Sequence, residues 1–133
     1  MNIRSVTEDD IDWIYAAGSR YYKDINEDDT KMKFRSILKN PDAFFIRSDT
    51  AVFAGIIGHN AYNSKERVVE DCFFFGKGVV DLIRAAMMWG KANGATDLHI
   101  GLSSLSKLKT IKPFAEKLGA TPLVIEAYNI KLV

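Results

Sequence analysis

A turn bounded by two glycines, Gly76-Lys77-Gly78, stands where a strand pattern ends and a helix pattern begins. Residues 67–75 are rich in β-branched and aromatic side chains and predict a strand, and the helical pattern that starts at Val79 ends at Asn93-Gly94. Glycine lets the turn adopt positive φ and lets a ligand approach the main chain. Because the first N–H groups of a helix are unpaired and lie at its positive end, the turn predicts a site for the phosphate oxygens of a nucleotide-bearing cofactor.

The same glycines are equally compatible with a tight strand-to-helix connection that binds nothing. Their spacing lacks the additional glycine of the dinucleotide-binding fingerprint, and Lys77 lacks the flanking residues of a Walker lysine. Neither of those nucleotide-binding motifs is present. The interpretation of the turn therefore depends on the elements around it.

Those elements alternate in a way that is typical of an α/β chain with a mixed central sheet. The first helix follows a cap at Thr7, and the second follows a cap at Asp28. Pro113 marks either a kink or the true start of the last helix. The predicted order is β-α-α-β-β-β-α-β-α-β, with strands at 2–6, 43–47, 52–59, 67–75, 98–102 and 124–133, and with the last two helices at 79–93 and 103–118.

Composition predicts a single domain, residues 1–133, with 47% hydrophobic residues and a net charge of +1. The balanced charge argues against a nucleic-acid partner. The sequence has neither the ~18 uninterrupted apolar residues of a membrane helix nor a signal peptide, so we expect a soluble, cytoplasmic protein without a membrane partner. One cysteine, Cys72, and two histidines give no disulfide and no metal site. A homodimer stays open.

The order of the elements, together with two short motifs, resembles the GNAT superfamily of acyl-coenzyme A N-acyltransferases. The motifs are Ile-Arg-x-Val-Thr-Glu-Asp-Asp at 3–10 and Phe-Ala-Glu-Lys-Leu-Gly at 114–119. The resemblance spans nearly the whole chain and extends to the compact, divergent members found among bacteriophage proteins. It implies a GNAT-like fold with acetyl-CoA as the acyl donor. Pantetheine would lie beside Phe73 and Phe74, and the pyrophosphate would be held around Gly76, Lys77, Gly78, Val79 and Val80.

Two positions depart from the pattern of the resembled family. Phe73 stands where the leading Arg or Gln of the phosphate motif is expected, and Ala115 stands where a tyrosine often protonates the leaving thiolate. Asp81 adds a negative charge at the start of the helix, where phosphate would bind. Tyr128 is the candidate replacement for the missing acid, although a tyrosine on a strand is more often a packing residue.

Acyl transfer to an amine needs a group that accepts a proton and donors to the developing oxyanion. The main-chain amides of 72–74 are the expected donors. Glu70 and Asp71 must point to opposite faces of their strand, and Glu70 is the predicted base. Depending on the length of the hairpin loop, His59 lies opposite Val68, Val69 or Glu70. Only the last register would make a His59–Glu70 proton relay, and the alternative is an ordinary histidine at a strand end.

The acidic linker 21–29 would overhang the acceptor side of the cleft by resemblance and would suit a cationic amine. Alternatively, Asp28 and Asp29 only cap the second helix while Tyr21 and Tyr22 pack against it. The leading hypothesis is an N-acyltransferase that moves an acyl group, expected to be acetyl, from acyl-CoA to an amine of a small molecule or protein by direct attack. The alternative is a binding or assembly protein that keeps the scaffold without catalysis.

Overall fold

The computed structural model describes residues 2–60, 63–101, 105–123 and 130–132. They belong to two compact units, one that spans 1–101 and one that spans 102–133. No helix in the described ranges is both long and apolar enough to cross a membrane. The elements are β1 (Arg4–Ser5), α1 (Ile11–Gly18), α2 (Glu27–Lys39), β2 (Ala43–Arg47), β3 (Ala51–Asn60), β4 (Asn63–Gly76), α3 (Val79–Ala92), β5 (Asp97–His99) and α4 (Leu105–Lys117).

The first unit is built on a five-stranded mixed sheet in the order β1-β2-β3-β4-β5. Neighbours from β1 to β4 pair antiparallel, whereas β4 and β5 pair parallel because α3 crosses over between them. The predicted mixed α/β class and the order of elements through α4 are confirmed. The strand predicted at 124–133 falls mostly outside the described residues, and 130–132 are not in a strand.

Helices cover both faces of this sheet. One face bears a core of aliphatic and aromatic side chains from α1, α2 and the strands, including Ile14, Phe34 and Phe75. On the other face α3 buries Val79, Leu82, Ile83, Ala86 and Gly90, which recur at helical spacing. Met87 follows Ala86 at the margin of this buried stripe and is 38% exposed.

The second unit is described chiefly by α4, which begins before Pro113 and continues through it. Ile111 and Phe114 are buried at an i, i+3 spacing. The helix ends at Lys117, one residue before the predicted end, and Gly119 follows with a left-handed φ of 71°. The N–H of Ala120 then reaches the carbonyl of Ala115 at 3.0 Å, which satisfies a carbonyl of the last turn.

A buried carboxylate, Asp10, joins the start of α1 to the edge of the sheet. It accepts two hydrogen bonds from Arg4, at 2.6 and 2.8 Å, one from Arg47 at 3.1 Å and one from the N–H of Thr7 at 2.8 Å. The paired bonds from Arg4 are the main cause that holds the pKa of Asp10 well below its usual range. Arg47 also stacks on Trp13, with its guanidinium 3.4 Å from the ring centroid.

We expect Asp10→Asn to lower the free energy of unfolding by roughly 1–3 kcal/mol at pH 7, because it removes the charged acceptor of a buried network. A lowered pKa stabilises the fold above the ordinary carboxyl pKa and loses that effect as the pH falls. The difference from the wild type should therefore shrink below about pH 4 in urea unfolding. Asp9→Asn, at an exposed neighbour, is the control. A pH-independent difference, or an equal effect of both substitutions, would contradict this role.

Glycine is required at position 76, where β4 enters the turn before α3. Gly76 has a φ of 104°, and a Cβ there would overlap the carbonyl oxygen of Thr50 and lie 2.6 Å from the Cα of Ala51. Neither obstacle is a flexible side chain, so the backbone itself would have to move.

We expect Gly76→Ala to cost about 2 kcal/mol or more of unfolding free energy, from the strained φ and the backbone overlap together. Gly58→Ala is the matched control, because Gly58 also lies in the sheet, its φ is ordinary and no atom lies within 4 Å of the point that a Cβ would occupy. The control should change stability by less than about 1 kcal/mol. Similar thermal and urea midpoints for the two variants would show that the turn does not need this glycine.

Candidate functional site

The turn between β4 and α3 presents a row of main-chain N–H groups. Gly78 precedes α3 in a left-handed conformation, with a φ of 83°, and no side chain caps the helix. The hydroxyl of Thr50 donates to the carbonyl of Lys77 at 2.7 Å and so fixes the turn against the start of β3. The N–H groups of residues 77–80 make no hydrogen bond to another residue within the described part of the chain. The geometry is that of an anion-binding helix start.

Two charged side chains flank these amides. Lys77 is exposed in the turn, and Asp81 is exposed in the first turn of α3, with its N–H bonded to the carbonyl of Gly78 at 3.1 Å. The lysine adds to the positive potential of the helix start, whereas the aspartate subtracts from it. The two charges oppose each other, so the positive electrostatic potential of the turn comes mainly from the main-chain N–H groups.

The hydrophobic residues predicted around the cofactor are mostly buried. Phe73 packs among Phe34, Phe45 and Phe75, with ring centroids 5.1, 5.6 and 6.1 Å away. Phe74 is fully buried on the opposite face of the sheet. Val79, the first residue of α3, is buried in the core that this helix forms with the sheet. Phe74 and Val79 could therefore contact a ligand only through the main chain.

Strand β4 pairs with β3 from Asn63 to Gly76 with two irregularities, and it pairs only briefly on its other side. Its pairing with β5 covers three positions and ends at Glu70 opposite His99, while β4 continues to Gly76. Beyond that point no described strand pairs with its outer edge. The N–H of Gly101 bonds to the carboxylate of Asp71 at 3.4 Å, so the chain leaves β5 still close to β4. An open strand edge thus runs from Glu70 to the glycine turn.

A β-bulge interrupts β4 midway along this open edge. Ala54 pairs with Phe73 and Gly55 pairs with Asp71, so Cys72 has no partner on β3. Burial raises the pKa of the Cys72 thiol, against an opposing effect of Lys33, which disfavours a role as nucleophile. The bulge was not predicted from the sequence. Glycine at position 55 was the available signal, because a Cβ there would lie 3.2 Å from the carbonyl oxygen of Glu70.

Glu70, the predicted base, lies where β4 and β5 separate. Its neighbour Val69 would touch a Cβ placed on Gly90 of α3, so alternation along the strand puts Glu70 on the opposite face. The carboxylate is 62% exposed, and its Oε1 lies 2.9 Å from Nδ1 of His99. Glu70 therefore has a histidine partner at the end of the β4–β5 pairing.

The predicted partner, His59, is not the histidine that meets Glu70. His59 pairs with Arg67, and none of the three predicted registers occurs. The reason is an irregularity near the hairpin end: Asn60 pairs with Asn63, whereas His59 pairs with Arg67, so residues 64–66 intervene on β4 alone. His99 was missed because its position depends on how β5 returns beside β4 after α3. The crossover order of the elements was the only signal for it.

The linker before α2 packs against the end of β4. The ring of Tyr21 stacks on Phe75 at 5.2 Å, and the hydroxyl of Tyr22 donates to the carbonyl of Phe74 at 3.2 Å. The cap of α2 is Asn26, whose side chain accepts from the N–H of Asp29 at 3.0 Å. The predicted cap at Asp28 is therefore two residues late, and the exposed acids lie in the first turn instead. Both tyrosines thus contact the end of β4, whereas the packing alternative placed them against the second helix.

Tyr128, the candidate replacement for the missing acid, lies outside the described residues. Ala115, at the position of the usual tyrosine in the resembled family, is half-buried on α4. A methyl side chain has no proton to give, so this position of α4 cannot supply an acid.

No protein-family model matches the sequence, and a comparison with curated proteins also gives no match. Solved structures do match over nearly the full length. AAC(6')-Iy in complex with the bisubstrate analogue CoA-S-monomethyl-acetylneamine has a TM-score of 0.73 at 15% identity, covering 99% of this chain and 98% of that chain. A predicted acetyltransferase with acetyl-CoA from Clostridium acetobutylicum has a TM-score of 0.72 at 13% identity, covering 98% and 95%.

A third similar structure, glucosamine-6-phosphate N-acetyltransferase from Arabidopsis thaliana, has a TM-score of 0.70 at 14% identity and covers 97% of each chain. At such identities the likeness shows the fold and not the activity. The likeness to bacteriophage proteins stays a prediction. The chain has the mixed α/β fold of the GNAT acetyltransferases.

Proposed function

We propose that this chain is an N-acyltransferase that moves an acetyl group from acetyl-CoA to an amine of a small molecule or protein. The observation that carries the proposal is the open edge of β4 running into a turn with unpaired amides. Support also comes from the similar structures, since one is described with a CoA bisubstrate analogue and another with acetyl-CoA. The chain's own residues would bind the donor, orient it and move the protons of the reaction.

The turn residues are proposed to hold the cofactor diphosphate through main-chain N–H groups. Gly76 and Gly78 supply the backbone conformation, and the amides of Lys77, Val79 and Val80 face a ligand at the positive end of α3. The ammonium of Lys77 adds a mobile positive charge. We place an amide-bearing arm such as pantetheine along the main chain of Phe73 and Phe74, where the carbonyl of Phe74 also accepts a hydrogen bond from Tyr22.

The length of β4 fits this assignment. From Gly76 back to Asp71 the strand advances roughly 17 Å, at about 3.3 Å for each of its residues. The arm between diphosphate and sulfur has about 13 bonds and spans roughly 15 Å when extended, at the advance per bond of an extended chain. A diphosphate at the turn would thus bring the thioester close to the bulge at Cys72 and to Glu70.

At that end of the edge the chain offers groups for acyl transfer. Bound acetyl-CoA supplies an activated carbonyl. We assign those main-chain amides of residues 72–74 that face the open edge as donors to the carbonyl oxygen. Glu70 is proposed to belong to the group that takes the amine proton. Tyr128 remains the proposed source of a proton for the departing thiolate. The exposed acids Asp28 and Asp29 would favour a cationic acceptor through long-range attraction only.

A non-catalytic binding or assembly protein on the same scaffold is the second candidate. The observations that favour it are Phe73, whose ring packs into the aromatic core where the resembled family places Arg or Gln, and Ala115, which cannot donate a proton. Both hypotheses predict the same fold, but only the acyltransferase hypothesis predicts catalytic turnover. Release of coenzyme A therefore separates them.

Acetyl-CoA should bind to the purified protein in isothermal titration, and Lys77→Glu should weaken binding about tenfold because it reverses a charge at the diphosphate site. Lys91→Glu, at an exposed lysine in the last turn of the same helix, is the control and should bind like the wild type. Binding of acetyl-pantetheine, which lacks the diphosphate, should be weaker still. No heat and no thermal shift with millimolar acetyl-CoA would overturn the proposal.

Thiol release from acetyl-CoA should rise above the hydrolytic background with at least one member of a panel of primary amines, from small polyamines and amino sugars to lysine peptides. Glu70→Gln should lower that rate without weakening the binding of acetyl-CoA, because the carboxylate acts on the acceptor side. Binding of acetyl-CoA without any amine-dependent release would favour the non-catalytic candidate.

A further inference from the structure

Glu70 and His99 meet at the last pairing position of β4 and β5, where the open edge begins. Oε1 of Glu70 and Nδ1 of His99 are 2.9 Å apart, a hydrogen-bond distance. An ionised carboxylate can only accept, so Nδ1 must carry the proton of this bond. In the neutral ring Nε2 is then the nitrogen with a free electron pair.

We propose that His99, oriented by Glu70, is the group that receives the proton of the acceptor amine. Glu70 becomes a positioning residue that fixes the tautomer of the ring and balances its charge once it is protonated, as carboxylates do for catalytic imidazoles. Histidine is the side chain whose charge ordinarily changes near neutral pH, which suits it to exchange protons with an amine there. This inference rests on the proposed acyltransferase function and refines its base.

The exposure of the pair agrees with this division of roles. The Glu70 side chain is 62% exposed, whereas that of His99 is 33% exposed. Charge on a side chain so well solvated is strongly screened, which suits Glu70 to a supporting role beside the less exposed ring. The imidazole is more enclosed but still reaches solvent.

Other charges near the pair come from three elements. On β5, Asp97 shares a face with His99 by alternation, and on α2 Lys33 acts on the Cys72 thiol, two positions along β4 from Glu70. On β4 itself, the carboxylate of Asp71 receives the N–H of Gly101. These neighbours carry charges of both signs, two carboxylates and one ammonium.

The proton balance of the step is complete with these groups. An N–H bond of the ammonium breaks and an N–H bond forms at Nε2 of His99. The freed electron pair then forms the C–N bond to the acyl carbon, and the C–S bond breaks with its electron pair on sulfur. The nitrogen of the acceptor amine gives up a second proton as the amide forms, and that proton ends on the thiolate.

The role of His99 is tested by steady-state kinetics with an acceptor amine that the thiol-release panel has identified. His99→Asn keeps a polar group near Glu70 but has no titrating nitrogen, so kcat should fall roughly 100-fold or more and the acid limb of its pH profile should vanish. The affinity for acetyl-CoA should change less than about twofold, since the diphosphate site is distant. His59→Asn is the matched control, because the chain has two histidines, and it should keep both rate and profile.

Two further measurements remain informative if His99→Asn is poorly folded. Added imidazole should restore part of the activity of His99→Ala, which a purely structural histidine would not allow. In the unliganded protein, ¹⁵N spectra should show the neutral His99 ring protonated at Nδ1, and Glu70→Met should shift it toward the Nε2–H form. His59→Gln assigns the signals by removing the other ring.

Different experimental results would overturn the role of His99 and the acyltransferase function on which it rests. If the wild type neither binds acetyl-CoA nor releases thiol, the acyltransferase proposal fails and the base assignment fails with it. If the wild type turns over but folded His99→Asn keeps its rate and acid limb, only the role of His99 is overturned. An Nε2–H tautomer in the wild-type ring would also overturn it.

Discussion

The arrangement depends on the unequal pairing of β4. On one side its ladder with β3 extends to Gly76, and on the other β5 covers only residues 68–70. The first side anchors the strand in the sheet, since main-chain bonds and a buried core hold it there. On the second side, no strand in the described part of the chain pairs with β4 beyond Glu70. One strand therefore supplies both rigidity and an open edge.

The chemistry of this edge is largely that of the main chain. The aromatic side chains along β4 turn into the two cores, where Phe73 and Phe75 pack on one face and Phe74 packs on Phe53 on the other. Those side chains stabilise the strand without facing its edge. Recognition then falls to N–H groups, the helix dipole and the few polar side chains at the two ends of the edge.

The two ends of the edge differ in character, and this separation would suit the proposed two-substrate reaction. The glycine turn is positive through unpaired amides and Lys77, while the other end holds Glu70 and His99. Opposite electrostatics at a spacing of roughly 17–20 Å along a strand of this length allow an anionic group and a cationic amine to be held together. The bulge at Cys72 lies between them, in a place where such irregularities often occur beside active sites.

The sequence by itself determined the elements and their order. Local signals such as the glycines at 76, 78 and 119, the apolar spacing on α3 and the residues before each turn act over a few positions, so they can be read without the fold. Only the tertiary structure decided which residues meet. A single irregularity in the β3–β4 hairpin moved His59 opposite Arg67, and packing of α3 set the register that brought His99 to Glu70. Strand register depends on distant packing and on bulges, and no local pattern records either of them.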